Sequence, residues 1–95
     1  MPPPVFEWDP LKNESNEDKH DIPFEDAEYV FQDPQRIDVD ATRPEHGEQR
    51  RIVTGRVGDR VMTVAYTLRG EQIRIISARK ARPDERRAYG SSDIR

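Results

Sequence analysis

Two tight-turn signals divide the second half of the chain and constrain its fold more than any other feature. The first, Gly58-Asp59, has glycine in the leading position and is typical of the two-residue type II′ turn of a β-hairpin. Residues 61–68 follow it, are rich in β-branched and aromatic side chains as strands are, and end at a second turn at Arg69-Gly70. We therefore predict consecutive antiparallel strands joined by hairpins.

The third strand of this meander is predicted over residues 72–80, which carry three isoleucines and end before Pro83. The second turn is compatible with a loop of either two or three residues, so the register between the second and third strands stays open. A slip of one residue moves every side chain to the other face of the sheet. The sequence therefore does not decide which arginines share a face with Tyr66.

The remaining segments predict helices and short strands around the meander. The expected elements are a strand at 5–8, helices at 10–20 and 24–31, an edge strand at 37–40, a loop at 42–48 and a last helix at 83–89. Asp9 is expected to cap the first helix, whose spacing places Lys12, Asn16, Lys19 and His20 near one face. The expected buried face of the second helix consists of Phe24, Ala27, Val30 and Phe31. The predicted fold is α+β, with an antiparallel sheet, two N-terminal helices and a short C-terminal helix. We expect residues 1–95 to form one domain, with a proline-rich lead at 1–4 and a flexible tail at 91–95.

Charge is distributed very unevenly along the chain. The first 48 residues hold 4 basic and 14 acidic side chains, whereas the remainder holds 12 basic and 5 acidic ones. A basic sheet of this kind suggests an anionic ligand such as nucleic acid. The alternative is that the two halves neutralise each other within the fold, and charge alone does not choose between these readings.

Composition excludes several classes of site. The chain has no cysteine, which rules out disulfides and thiolate metal sites. Its two histidines, His20 and His46, lie far apart without a carboxylate cluster at ligand spacing, so we predict no metal site and no cofactor. No apolar run approaches the roughly 18 residues of a membrane span, and residues 1–4 do not resemble a secretory signal. We expect a cytoplasmic protein with no membrane partner.

Basic side chains in these numbers can support chemistry on a phosphate without a metal ion. RNA carries its own nucleophile, the 2′-hydroxyl, so a protein needs only to hold the phosphate, stabilise the developing charge and transfer protons. The available proton carriers are Lys12, Lys19, His20, Tyr66 and Tyr89. Structural roles compete with this reading: Tyr66 can be a cross-strand packing residue, Tyr89 a helix anchor and His20 a complement to a helix dipole.

Two long motifs in the chain resemble those of the BrnT toxins. The first is Phe6-x-Trp8-Asp9-x-x-Lys12-x-x-x-Asn16-x-x-Lys19-His20-x-Ile22-x-Phe24-x-x-Ala27-x-x-Val30-Phe31-x-Asp33. The second is Thr67-x-Arg69-Gly70-x-x-x-Arg74-Ile75-Ile76-Ser77-Ala78-Arg79-x-Ala81, followed by Glu85-Arg86 and Tyr89. The motifs have the order and spacing of the family and together span nearly the whole chain.

The resemblance implies a type II toxin: a small, metal-independent ribonuclease with a fold related to the RelE toxins, which inhibits translation. It also implies a BrnA-type antitoxin, a ribbon-helix-helix protein that sequesters the toxin in a heterotetramer and supplies the contact with operator DNA. On this resemblance we expect catalytic roles for Lys12, Lys19, His20, Arg51 and Arg79. We expect RNA contacts from Arg74, Tyr66, Arg82 and Arg86.

One position departs from the family pattern beside these residues. Asp21 stands where the family usually has glycine after the Lys-His pair. A carboxylate there can displace His20 or oppose the approach of a phosphate. An alternative function is therefore a non-catalytic module of the same fold, a disarmed toxin that binds protein or nucleic acid without cleavage.

Overall fold

A computed structural model describes residues 5–93, with side chains as far as Gly90, as a five-stranded mixed sheet with helices on both faces. The strands are β1 (Val5–Glu7), β2 (Ile37–Asp40), β3 (Arg51–Val57), β4 (Arg60–Arg69) and β5 (Gln72–Lys80), and their order across the sheet is β1-β5-β4-β3-β2. The α-helices are α1 (Pro10–His20), α2 (Phe24–Ala27) and α3 (Pro83–Asp93), and 3₁₀ helices span Glu28–Gln32 and Pro44–His46.

The predicted hairpins join β3, β4 and β5, which pair antiparallel in chain order. Gly58 has φ of 63°, the left-handed value that the first residue of a type II′ turn requires. The second turn has two residues, because Arg69 pairs with Gln72. A bulge in β5 then shifts the register between Ala65 and Tyr66. The shifted register places Ile75 opposite Tyr66 and Arg74 opposite Thr67. Separately, the β3–β4 hairpin places Arg51 opposite Tyr66, so Arg51 shares a face of the sheet with Tyr66.

The prediction of a purely antiparallel sheet is wrong, because β1 pairs with β5 in parallel. A parallel pair needs a long connection, and here almost the whole domain lies between the two strands. No local turn signal reports such a pairing. β1 covers only Gln72 to Arg74 of β5, so the rest of that edge of the sheet is left for helix α1.

Two helices differ in length from the prediction. Helix α2 ends at Ala27 and the chain tightens into a 3₁₀ helix, although Phe24, Ala27 and Val30 are buried as predicted. Helix α3 continues to Asp93 instead of ending at residue 89. A glycine inside a helix costs only about 1 kcal/mol, which neighbouring turns can offset. Residues 1–4 and 94–95 of the predicted lead and tail lie outside the described residues.

The main core lies between the sheet and the N-terminal helices. Its largest fully buried side chains are Phe24, Ile22, Met62, Ile75, Val30, Val53 and Val64. A smaller cluster of Val61, Ala81 and Tyr89 lies under α3 on the opposite face. Among residues 5–93, no helix is long and apolar enough to cross a membrane.

Helix α1 is held to the sheet by a polar side chain rather than an apolar stripe. Its N-terminus is capped as predicted, since the Asp9 carboxylate accepts a hydrogen bond of 2.9 Å from the Leu11 amide. Asn16 is buried, and its amide nitrogen donates to the carbonyls of Ile22 and Ala78 at 2.9 and 2.8 Å. Its oxygen accepts from the Ala78 amide at 3.1 Å. Asn16 therefore satisfies backbone groups of β5 beyond the end of β1.

Candidate functional site

A cleft lies at the end of the sheet where the β3–β4 turn, the end of α1 and the start of α3 meet. Its volume is about 410 Å³. Four basic side chains line it, each from a different element: His20, Arg60, Lys80 and Arg86. Asp59 supplies one carboxylate, and Ile22, Val61 and Met62 form its apolar lining. Such a concave, cationic surface can bind an anion the size of a phosphate ester.

A second depression of about 210 Å³ borders the first and shares His20 with it. Lys12 and Lys19 project into it from helix α1, and Ile76 and Ser77 of β5 form its other wall. The fold thus brings three predicted catalytic residues together, since Lys12, Lys19 and His20 lie along one face of one helix. His20 is common to both depressions and has cationic side chains on either side.

The local backbone around His20 is fixed by the end of α1. Asp21 adopts the left-handed conformation, with φ of 58° and ψ of 34°, and its amide donates to the Glu17 carbonyl at 2.9 Å. An aspartate tolerates this conformation less well than glycine but better than most residues. Arg60 donates a hydrogen bond of 3.3 Å to the Asp21 carbonyl, which ties the β3–β4 hairpin to the helix end.

Arg51 and Tyr66 come together, but far from His20. Arg51 Nε lies 2.7 Å from Asp38 Oδ1, and the Tyr66 hydroxyl donates to the other oxygen of the same carboxylate. Burial and then the Asp38 hydrogen bond raise the pKa of Tyr66 to about 12, so this hydroxyl stays protonated at neutral pH. Tyr66 lies six positions along β4 from Arg60, a distance of about 20 Å at the usual strand rise. One phosphate cannot contact both places.

Two further predicted residues, Arg74 and Arg79, are engaged with carboxylates. Arg74 lies 3.6 Å from Glu7 Oε1, a buried oxygen without a hydrogen bond, for which this guanidinium is the electrostatic partner. Arg79 donates two hydrogen bonds to Glu85, at 2.7 and 2.9 Å, on the opposite face of the sheet from α1. A bidentate pair of this geometry is among the stronger protein ion pairs.

Glu85 anchors the start of α3 to the sheet through this pair. Its carboxylate also accepts from the Thr63 hydroxyl at 3.0 Å and from the Arg82 amide at 2.8 Å. The Arg82 side chain is exposed and only its backbone takes part. Arg86 follows Glu85 directly and lines the cleft. The Glu85 network therefore sets where Arg86 stands.

Comparison with protein families decides which class of protein carries this cleft. Residues 8–85 match the model described as the ribonuclease toxin BrnT of type II toxin–antitoxin systems. The chain belongs to the BrnT family. A comparison with curated proteins gives no match. Membership of this toxin family implies that the chain has an antitoxin partner.

Two residues of the cleft in this BrnT chain escaped the sequence-based prediction. Arg60 follows the β3–β4 turn, and Lys80 ends β5 beside the predicted Arg79. The strand register and the packing of α1 on the sheet bring both residues to the cleft, and neither feature has a local sequence signal. Among the residues that the structure describes, no group of three or more histidine and acidic side chains is arranged to hold a metal ion.

The Glu85 network predicts a loss of stability in acid. The hydrogen bonds from Arg79 are the first cause that lowers the pKa of Glu85, from an ordinary 4.5 to about 2. Because the pKa of Glu85 is lower in the folded than in the unfolded state, this stabilisation is complete at pH values above the unfolded-state pKa. It disappears as the pH falls towards 2. At neutral pH, Glu85→Gln should lower the free energy of unfolding by about 1–2 kcal/mol, since a partly exposed network is screened.

Urea unfolding of the wild type and of Glu85→Gln at neutral pH and near pH 2 measures this contribution. The difference between the two proteins should shrink as the pH falls. It should also exceed the effect of Asp84→Asn, the matched control in the same helical turn, because no hydrogen bond joins Asp84 to Arg79 as two join Glu85 to it, and the charge of Asp84 acts on Arg79 only through space. A difference that is the same at both pH values would contradict the assignment.

Proposed function

We propose that this BrnT chain is an endoribonuclease toxin that cleaves RNA in the cleft around His20. The observation that carries the proposal is the position of His20 between two cationic depressions. Lys12 and Lys19 lie on one side of it, and Arg60, Lys80 and Arg86 lie on the other. These six side chains form a continuous cationic track. An RNA strand that lies along it places one phosphate beside the imidazole of His20 and the adjacent phosphates beside ammonium and guanidinium groups.

The reaction that this arrangement favours uses the substrate's own nucleophile. The 2′-hydroxyl attacks the adjacent phosphorus, the bond to the 5′-oxygen breaks, and the products carry a 2′,3′-cyclic phosphate and a 5′-hydroxyl. His20 takes the proton from the 2′-hydroxyl and returns it to the departing 5′-oxygen, a transfer for which imidazole is suited near neutral pH. Arg60 and Arg86 stabilise the additional negative charge on the phosphate oxygens. Cationic side chains supply this charge, so we propose that cleavage is independent of metal ions.

The other predicted residues take different roles in this proposal. Arg51, Tyr66 and Arg74 lie towards the opposite end of the sheet, and there they would contact RNA away from the cleaved bond. Arg79 is held by Glu85, so we propose that it positions α3 and thereby Arg86. Arg82 is exposed near the start of the same helix and is a further contact for the RNA backbone.

We further propose the cellular setting that the family membership suggests. The chain acts as one RelE-like toxin domain in the cytoplasm, where RNA cleavage inhibits translation. A BrnA-type ribbon-helix-helix antitoxin neutralises it in a heterotetramer and contacts the operator DNA on behalf of the complex. Neutralisation requires only that a segment of the antitoxin cover the cationic track.

Expression in cells separates this proposal from the non-catalytic alternative. The chain alone should arrest growth and fragment cellular RNA, and co-expression of the neighbouring antitoxin should restore both growth and intact RNA. The carboxylate of Asp21 beside His20 is the feature that favours a disarmed module. Tight antitoxin binding by a chain that leaves growth and RNA unaffected would support the module and contradict the toxin.

A further inference from the structure

A third depression, of about 340 Å³, lies on the other side of the β3–β4 turn from the His20 cleft. Tyr29 and Gln32, from the first 3₁₀ helix, form one wall, and Arg56 and Tyr89 form another. Tyr29 is 55% exposed, so its ring is accessible to a ligand. The Arg56 guanidinium lies 5.9 Å from the centre of the Tyr89 ring.

The carboxylate of Asp33, which lines this depression, already accepts hydrogen bonds from other residues of the protein. Asp33 Oδ2 accepts hydrogen bonds from the Tyr89 hydroxyl at 2.6 Å and from the Arg56 amide at 2.8 Å. Its Oδ1 accepts from the Gln35 amide at 2.9 Å. These bonds fix the wall at the part of β3 that β2 does not cover. What the depression offers a ligand is an aromatic face, a guanidinium plane and the amide of Gln32.

The depression and the cleft are adjacent because the β3–β4 hairpin and helix α3 contribute residues to both. Val57 and Arg60 pair across the two-residue turn, and they face the depression and the cleft respectively. On α3, Arg86 lines the cleft and Tyr89 lines the depression, one helical turn apart. A ligand that extends past the turn therefore reaches both.

We propose that this depression binds a nucleobase of single-stranded RNA next to the phosphate held in the cleft, with the base stacked on Tyr29. Unpaired bases are recognised by stacking on aromatic side chains and arginine planes and by hydrogen bonds to their edges. Gln32 can donate and accept such bonds. The inference rests on the proposed ribonuclease function and adds a base-binding subsite beside the cleavage site.

Binding of a fluorescently labelled 2′-O-methyl oligonucleotide tests the subsite, because this RNA lacks the nucleophilic hydroxyl and stays intact. Tyr29→Ala should weaken binding by about tenfold or more, which corresponds to the loss of one base stack. Tyr29→Phe keeps the ring and should bind like the wild type. Val39→Ala is the matched control, since Val39 is 45% exposed but lies on the edge strand β2, outside the depression and the cleft.

A series of oligonucleotides, each with one abasic position, identifies the stacked base. At one position, removing the base should weaken binding to the wild-type protein as much as Tyr29→Ala weakens binding of the intact oligonucleotide. Removing the same base should not weaken binding to Tyr29→Ala any further. Wild-type affinity in Tyr29→Ala would overturn the subsite, even if that variant had lost binding to the antitoxin, because the surface would then belong to the protein partner. Loss of cleavage in His20→Ala alongside that result would leave the proposed function intact.

Discussion

Replacing Asn16 by alanine should lower the free energy of unfolding by about 3 kcal/mol. The variant loses three buried hydrogen bonds, two to carbonyl oxygens and one from the Ala78 amide. It also leaves those backbone groups without partners in a dry environment, where each costs about 1–3 kcal/mol. A domain of this length has only about 5–14 kcal/mol in total.

Urea unfolding followed by circular dichroism measures this loss. Ser15→Ala is the matched control on the same helix, since Ser15 is exposed, and it should leave the unfolding midpoint close to that of the wild type. An unchanged midpoint in Asn16→Ala would show that packing alone holds α1 on the sheet.

Local features of the fold were predictable from sequence, whereas pairings between distant segments were not. The turn at Gly58 and the cap at Asp9 each depend on two or three adjacent residues, and both were predicted correctly. The parallel pairing of β1 with β5 joins segments more than 60 residues apart and left no local mark. Asn16 was predicted to lie on the same face as Lys12 and His20, but its anchoring role was not, because its partner is the distant Ala78.

The candidate site was predictable only in part. Lys12, Lys19 and His20 were grouped correctly because helical spacing alone places them on one face. The arginines could not be assigned in this way, since a guanidinium's role depends on the carboxylate it meets. Glu85 is only six residues from Arg79, yet it lies on a different element, and the ion pair between them was not evident from the sequence.

Replacing His20 by alanine should slow RNA cleavage by about 10²- to 10⁴-fold while leaving stability almost unchanged. The side chain is exposed at the end of α1, so its removal opens no cavity in the core. His46 is the matched control, because it is the other histidine of the chain and lies in the second 3₁₀ helix, outside both depressions that His20 lines. His46→Ala should cleave RNA like the wild type.

Cleavage of a single-stranded RNA in the presence of EDTA by the wild type, His20→Ala and His46→Ala would show whether His20 forms a metal-independent cleavage site. We expect the wild type and His46→Ala to produce 2′,3′-cyclic phosphate ends at similar rates, and folded His20→Ala to be slower by at least about 100-fold. Equal rates for all three proteins, or intact RNA with the folded wild type, would contradict a metal-independent cleavage site at His20.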